Sequence, residues 1–372
     1  MKWAWSLGRF AGIQVYIHAT FLLIIAFVGW SYWARGLGAA GAAEGILFVL
    51  AIFFCVVLHE YGHALTARRY GIRTRDITLY PIGGVARLER MPDKPVQELR
   101  VALAGPAVNV VIAAVLVGWL MLAGMLKPVA EVTVTEGPFL ERLLLANLFL
   151  AGFNLIPAFP MDGGRVLRAL LAMRLEYTRA TQIAATVGQG AALLFGLAGL
   201  MGNPMLLFIA FFVWIGAAQE SSMVQMKSSL SGIPVRRVML TDFKTVAPGD
   251  PLSRVVDLML QGSQQDFPVL REGEVVGVLT RAELLKALGQ RSPASRVEEV
   301  MERRFTTVEE GEMLESAFAR LQECGCHTMP VMRGSTLAGL VTSENIGEFL
   351  MIQAALKGVG RPEAAATGWA CG

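Results

Sequence analysis

Charged side chains are scarce in this chain: Asp, Glu, Lys and Arg make up 17% of its 372 residues, against 54% hydrophobic. A soluble globular domain carries about a quarter, so a wholly water-exposed protein is excluded. The deficit is local. Charge is sparse over residues 30–55 and 101–126 and becomes abundant after Arg236. Cysteine is also rare, and Cys55, Cys324, Cys326 and Cys371 form no regular framework, so spacing gives no case for structural disulfides. Neither sign of charge dominates. A formal net charge of +3 supplies no basic footprint for nucleic acid, which is not expected as a partner. A cleavable leader is not expected either, because Lys2 and Arg9 are followed by more polar chain rather than a small-residue cleavage site.

What the front of the chain has instead is long apolar runs. A spanning helix needs about 20 mainly apolar residues. Six stretches qualify or come close: 18–34, 44–65, 101–126, 143–159, 181–200 and 204–218. The pattern predicts an α-helical polytopic protein of the cell membrane, embedded in the lipid bilayer over residues 1–224. Orientation follows from Lys and Arg in the connecting segments. One side would hold Lys2 and Arg9, then Arg68, Arg69, Arg73, Arg75, Arg87, Arg90, Lys94 and Arg100, then Arg165, Arg168, Arg174 and Arg179. The other holds only Arg35, Lys127 and Arg142. The excess places the N-terminus and everything after the sixth span in the cytosol.

The second span contains Leu58-His59-Glu60-Tyr61-Gly62-His63-Ala64. Here H-E-x-x-H on a helix sets His59 and His63 one turn apart on one face. Two imidazoles at that spacing can bind the same Zn²⁺, while Glu60 is placed to act as general base on a water there. Ionisable residues inside a span are expensive and usually functional, which argues against a merely solvated helix end. Catalytic zinc takes three protein ligands. Asp162 is the only carboxylate between Arg142 and Glu176. It follows a stretch broken by Pro157 and Pro160, and broken backbone at membrane depth is tolerated only where it is buried or lines a watery cavity. Its carboxylate is either the third ligand or the cap of a helix beginning near Gly164.

His59 to His63, together with Asn154-Leu155-Ile156-Pro157-Ala158-Phe159-Pro160-Met161-Asp162-Gly163, resembles the site-2 protease family, with its H-E-x-x-H and N-x-x-P-x-x-x-x-D-G signatures. The match extends to Gly83-Gly84 and to Ala104-Gly105-Pro106-Ala107-Val108-Asn109. Met161 stands where the family most often has leucine, a volume-conserving change. The resemblance implies an intramembrane zinc metalloendopeptidase acting on membrane-protein substrates. It implies His59, His63 and Asp162 as zinc ligands, one ion per chain, and Glu60 as the catalytic base. Asn154 would either donate to the scissile carbonyl or its oxyanion or make a helix–helix hydrogen bond. Residues 77–88 read as two short strands around a glycine turn. The resemblance places this hairpin near the active site, where its edge could pair with an unwound substrate. His18 reads as an interfacial residue.

The back of the chain repeats itself. Val238-Met239 recurs as Val300-Met301, Thr245-Val246 as Thr307-Val308, Pro268-Val269 as Pro330-Val331, Gly277 as Gly339 and Thr280 as Thr342, each at an offset of 62 residues. Each copy reads strand, helix, two strands, helix. The repeat resembles a tandem pair of CBS motifs, here 235–290 and 297–352, an α/β cytosolic domain. The resemblance implies clefts for an adenine nucleotide, ATP or AMP, with Gly277, Thr280, Gly339, Thr342 and Asn345 as candidate contacts at helix N-termini. Asn345 and Glu283 stand where an aspartate is usual, so a structural pair that brings two protomers together as a homodimer is the alternative. Cys324-Gly325-Cys326-His327 falls in a helix-to-strand loop of the repeat and reads as loop rather than metal site. Residues 353–372 read as a disordered tail. A CBS-regulated transporter or channel would need ionisable groups along a conduction path, and a scaffold would not need all four catalytic candidates.

Overall fold

The computed structural model describes residues 3–81, 83–92, 94–125, 137–290 and 292–359; Lys2, Lys127 and the last thirteen positions of the expected tail lie outside them. The chain divides into two units, Met1–Val224 and Gln225–Gly372.

The first unit is built on helices α1 (Phe21–Ala34), α2 (Gly38–Arg68), α3 (Pro95–Leu122), α4 (Phe139–Asn154), α5 (Asp162–Ala172), α6 (Tyr177–Leu200) and the start of α7 (Pro204–Leu230). Of these, α2, α3, α6 and α7 are long and apolar enough to cross a membrane. The expected spans at 18–34 and 143–159 are shorter helices. Their 14 and 16 residues give about 21 and 24 Å, against a hydrocarbon core of about 30 Å. His18 is taken up by a strand, and the segment holding Pro157 and Pro160 cannot continue α4 past Asn154.

Strands β1 (Ala4–Phe10), β2 (Ile13–His18), β3 (Thr74–Tyr80) and β4 (Gly83–Leu88) form one sheet in that order. The β3–β4 hairpin is the one expected from the sequence. The β1–β2 hairpin is an addition. It turns through Ala11 and Gly12, both at positive φ, and β2 lies parallel to β3 with Val15 beside Ile77. Its alternation is visible afterwards, with Ile13 and Val15 buried. Across β3 and β4, Arg87 Nε donates to Asp76 Oδ1 at 2.8 Å, and this bond holds the guanidinium above its ordinary pKa. His18 Nδ1 lies 2.8 Å from the Thr20 hydroxyl, and its ring lies tilted against Tyr80 with centroids 5.1 Å apart.

Helix α5 is fixed by a buried cation. Arg168, with no exposed surface, donates from Nε to Glu98 Oε1 on α3 at 2.7 Å and pairs with Glu220 on α7. Its guanidinium lies 5.0 and 5.1 Å from the Phe159 and Tyr177 rings.

In the second unit the repeat folds as α8 (Leu252–Gln261), β5 (Phe267–Arg271), β6 (Glu274–Leu279) and α9 (Arg281–Gln290), then β7 (Val308–Glu309), α10 (Leu314–Cys324), β8 (Thr328–Arg333), β9 (Thr336–Thr342) and α11 (Ser343–Val359). The first strand of the first copy is reduced to a bridge between Val246 and Val269. The copies exchange their leading segments: Leu240 pairs with Leu340, and Glu302 with Val278. Accordingly Val235 and Val238 join the core of the second copy, and Val297 and Met301 that of the first.

Three expectations are corrected here. The sixth apolar stretch, expected to end at residue 218, continues as helix α7 to Leu230, because no Gly or Pro interrupts it before Gly232. Helix α11 runs to Val359, into the segment expected to be disordered. Cys324 and Cys326 are joined by a disulfide. Gly325, left-handed at φ 64, ends α10 and brings the two Cα atoms to 5.1 Å, a turn that spacing alone does not reveal.

Candidate metal centre

His59 and His63 lie one helical turn apart on the buried face of α2, as the i, i+4 geometry requires. Asp162 is the first residue of α5, just past the break that ends α4. Asp162 Oδ2 lies 3.1 Å from His59 Nε2 and 3.0 Å from His63 Nε2, and the two Nε2 atoms are 3.1 Å apart. All three side chains are buried. Among the described residues this is the one grouping of three or more His, Cys, Asp or Glu side chains able to hold a metal ion. The expected ligands are therefore brought together, although they lie 103 positions apart at the extreme.

The distal nitrogens define what the near ones can do. His63 Nδ1 lies 2.7 Å from the Val101 carbonyl oxygen, which can only accept, so the proton of a neutral ring sits on Nδ1. His59 Nδ1 lies 2.6 Å from Asn109 Oδ1, with the same consequence. Both Nε2 atoms then present lone pairs toward each other and toward a carboxylate oxygen. Three acceptors at hydrogen-bond distance in a buried site leave a place that a cation fits. Two imidazoles and one carboxylate form a borderline-hard donor set suited to zinc, with room for a fourth ligand.

Close approach of α3 creates the space. A Cβ on Gly105 would lie 2.6 Å from His59 Nε2 and closer still to the His63 ring. On α2, a Cβ on Gly62 would meet the Ala104 carbonyl at 2.6 Å. Glu60 faces β4 instead of the imidazoles' hydrogen-bond partners. Its Oε2 accepts the Ala86 N–H at 3.2 Å, and a Cβ on Gly84 would press its Cγ at 2.9 Å. The hairpin thus orients the glutamate. Asn154 is not bonded to the three donors: its amide donates to Leu150 O, one turn back in its own helix, at 2.9 Å. That is neither a substrate contact nor the helix–helix bond weighed for it.

The structure adds Asn109 and Asn147, which motif spacing alone did not single out as a working pair. Each is an amide side chain in an otherwise apolar helix, and such a group needs a partner there.

In the CBS unit, Thr280 Oγ1 accepts the Glu283 N–H at 3.2 Å and Thr342 Oγ1 the Asn345 N–H at 3.1 Å. Gly277 and Gly339 have a packing reason. A Cβ on Gly339 would meet Leu240 O at 2.6 Å, and one on Gly277 would meet Glu302 O at 3.0 Å.

A metal-binding donor set between apolar helices fits an intramembrane zinc metalloprotease, and comparison with known proteins shows that class. The chain belongs to Peptidase family M50, whose pattern matches residues 47–138 and 120–197, and residues 235–290 and 297–351 each match the CBS domain. A zinc metalloprotease of Methanocaldococcus jannaschii is 36% identical over 281 residues, 75% of this chain and 78% of that one. Rip3 of Mycobacterium tuberculosis is 29% identical over 94% of this chain and 93% of its own. The solved site-2 protease of Methanocaldococcus jannaschii is 39% identical and superposes with a TM-score of 0.44 over 59% of this chain and 95% of that one. The resemblance drawn from the two motifs and the repeat holds, and the protein is a multi-pass membrane zinc metalloprotease with a CBS pair.

Proposed function

We propose that this protease cleaves membrane-protein substrates within or beside their transmembrane segments, as in regulated intramembrane proteolysis. His59, His63 and Asp162 hold one zinc per chain. The observation that carries this reading is the meeting of two bare Nε2 atoms and Asp162 Oδ2 within 3.1 Å. When bound, zinc supplies Lewis acidity toward water and toward a peptide carbonyl. Glu60 takes the proton of the attacking water and passes it to the leaving amine nitrogen. Ala86 N–H anchors one carboxylate oxygen of Glu60, so the other is the one free to move the proton. Asn154 donates to the oxyanion once its bond to Leu150 O is exchanged for substrate. The exposed edge of β4 pairs with the substrate backbone once that segment is unwound.

Glu60→Gln tests the base. Zinc content should stay at one per chain while cleavage of a membrane substrate in detergent or vesicles is lost; retained cleavage by this variant removes Glu60 from the role. Asp162→Ala should strip the metal, and an unchanged zinc affinity would make Asp162 a helix cap only.

The CBS pair is read as an adenine-nucleotide sensor, with Thr280, Thr342 and Asn345 contacting ribose and phosphate at helix N-termini. The packing of Gly277 and Gly339 against the exchanged segments favours a second reading, in which the pair is a structural module that joins two protomers. Calorimetry of the full-length protein with ATP or AMP separates the two. Heat at millimolar nucleotide supports sensing, and its absence supports the dimer module.

A further inference from the structure

Two asparagines, one on α3 and one on α4, are joined in a chain that ends on a metal-ligand candidate. Asn147 Nδ2 donates to its own helix at Leu143 O, 2.9 Å away, and to the buried Cys55 sulfur at 3.4 Å. Its Oδ1 accepts Asn109 Nδ2 at 2.9 Å. Asn109 Oδ1 then faces His59 Nδ1 at 2.6 Å. Both asparagines are fully buried, so bulk solvent cannot satisfy a reversed amide.

The chain has a direction. Leu143 O is a backbone carbonyl and can only accept, so Asn147 must turn its NH₂ toward it. That leaves Asn147 Oδ1 toward α3, which obliges Asn109 to turn its NH₂ to Asn147 and its oxygen to His59. An oxygen there requires the N–H of His59 at Nδ1 and leaves Nε2 bare. Reversing either amide would set two acceptors or two donors face to face in a buried site, each costing about 1–3 kcal/mol. His63 reaches the same tautomer through one backbone carbonyl, which needs no such relay.

We propose that Asn147 and Asn109 form a polarity relay that fixes the His59 tautomer and so presets the centre for zinc, Asn147 acting through Asn109 as a positioning residue. The inference rests on the reading of His59, His63 and Asp162 as the zinc site.

The test measures zinc affinity of the full-length protein in detergent, by competition with a chromophoric chelator, with melting in EDTA as the check on folding. Asn147→Asp keeps an acceptor toward Asn109 whether or not its carboxyl is protonated, whereas Asn147→Leu fills the same space without polarity. The relay predicts near-native affinity for Asn147→Asp and a loss of about 10–100-fold for Asn147→Leu, the usual scale for the support behind a ligand. A merely structural Asn147 predicts the reverse order, because Asp buries an ionisable group and Leu packs well. In an Asn109→Asp background, where only acceptors face His59, Asn147→Leu should have no further effect on zinc. Equal losses for the two Asn147 variants, or native affinity in a folded Asn147→Leu protein, overturn the relay. A wild-type protein that binds no zinc overturns the zinc site itself, and the relay with it.

Discussion

The absence of one methyl group at Gly105 keeps the metal centre open. A Cβ at that position would overlap both imidazoles on the side where their Nε2 atoms meet. Gly105→Ala should therefore remove bound zinc without touching a ligand, at an overpacking cost of about 1–3 kcal/mol. Metal analysis and a melting curve in EDTA check the two halves, and wild-type zinc content in the variant would show that the rings can yield. The candidate ligands themselves were legible in the sequence. His59 and His63 declare themselves by helical spacing, and Asp162 by its isolation among broken backbone. Asn109 and Asn147 were not, because their meaning lies in which way an amide points. That depends on partners 38 and 50 positions away. The glycines at 277 and 339 show the opposite case: the repeat marked them, but only the exchanged segments explain why nothing larger fits.

Among the elements, α5 matters most, since it begins at Asp162 and is held by Arg168. Removing the cation leaves Glu98 buried beside apolar helices without its ion-pair partner. Breaking a buried pair in this way costs about 3–5 kcal/mol. Arg168→Leu should thus lower the free energy of unfolding by that amount, read from a detergent or thermal unfolding curve, and adding Glu98→Gln should recover part of it. Additive losses in the double variant would mean that the two side chains do not act as a pair. The helices and the β3–β4 hairpin follow from local patterns, namely apolar runs and a glycine turn. The β1–β2 hairpin does not, because its place depends on parallel pairing with β3 across the whole of α1 and α2. The shortening of α1 and α4 likewise needs knowledge of where neighbouring strands and prolines claim the chain.

For the whole molecule, the apolar front and the repeated back were plain from composition and the 62-residue offset. The distribution of Lys and Arg predicts the orientation: a cysteine at Gly38 should react with an impermeant reagent from outside the cell, and one at Ser292 only from the cytosol. The opposite pattern would reverse the topology and remove the CBS pair from the nucleotide pool. If the pair senses ATP or AMP, either should change the cleavage rate, and truncation after Lys227 should abolish the response while leaving zinc bound. An unaltered response in the truncated protein would assign it elsewhere. The exchange of leading segments has a further consequence. Val235 and Val238 sit in the core of the second copy, and Val297 and Met301 in that of the first, so neither half of the repeat holds its whole core. The pair is written twice in the chain and still cannot be halved.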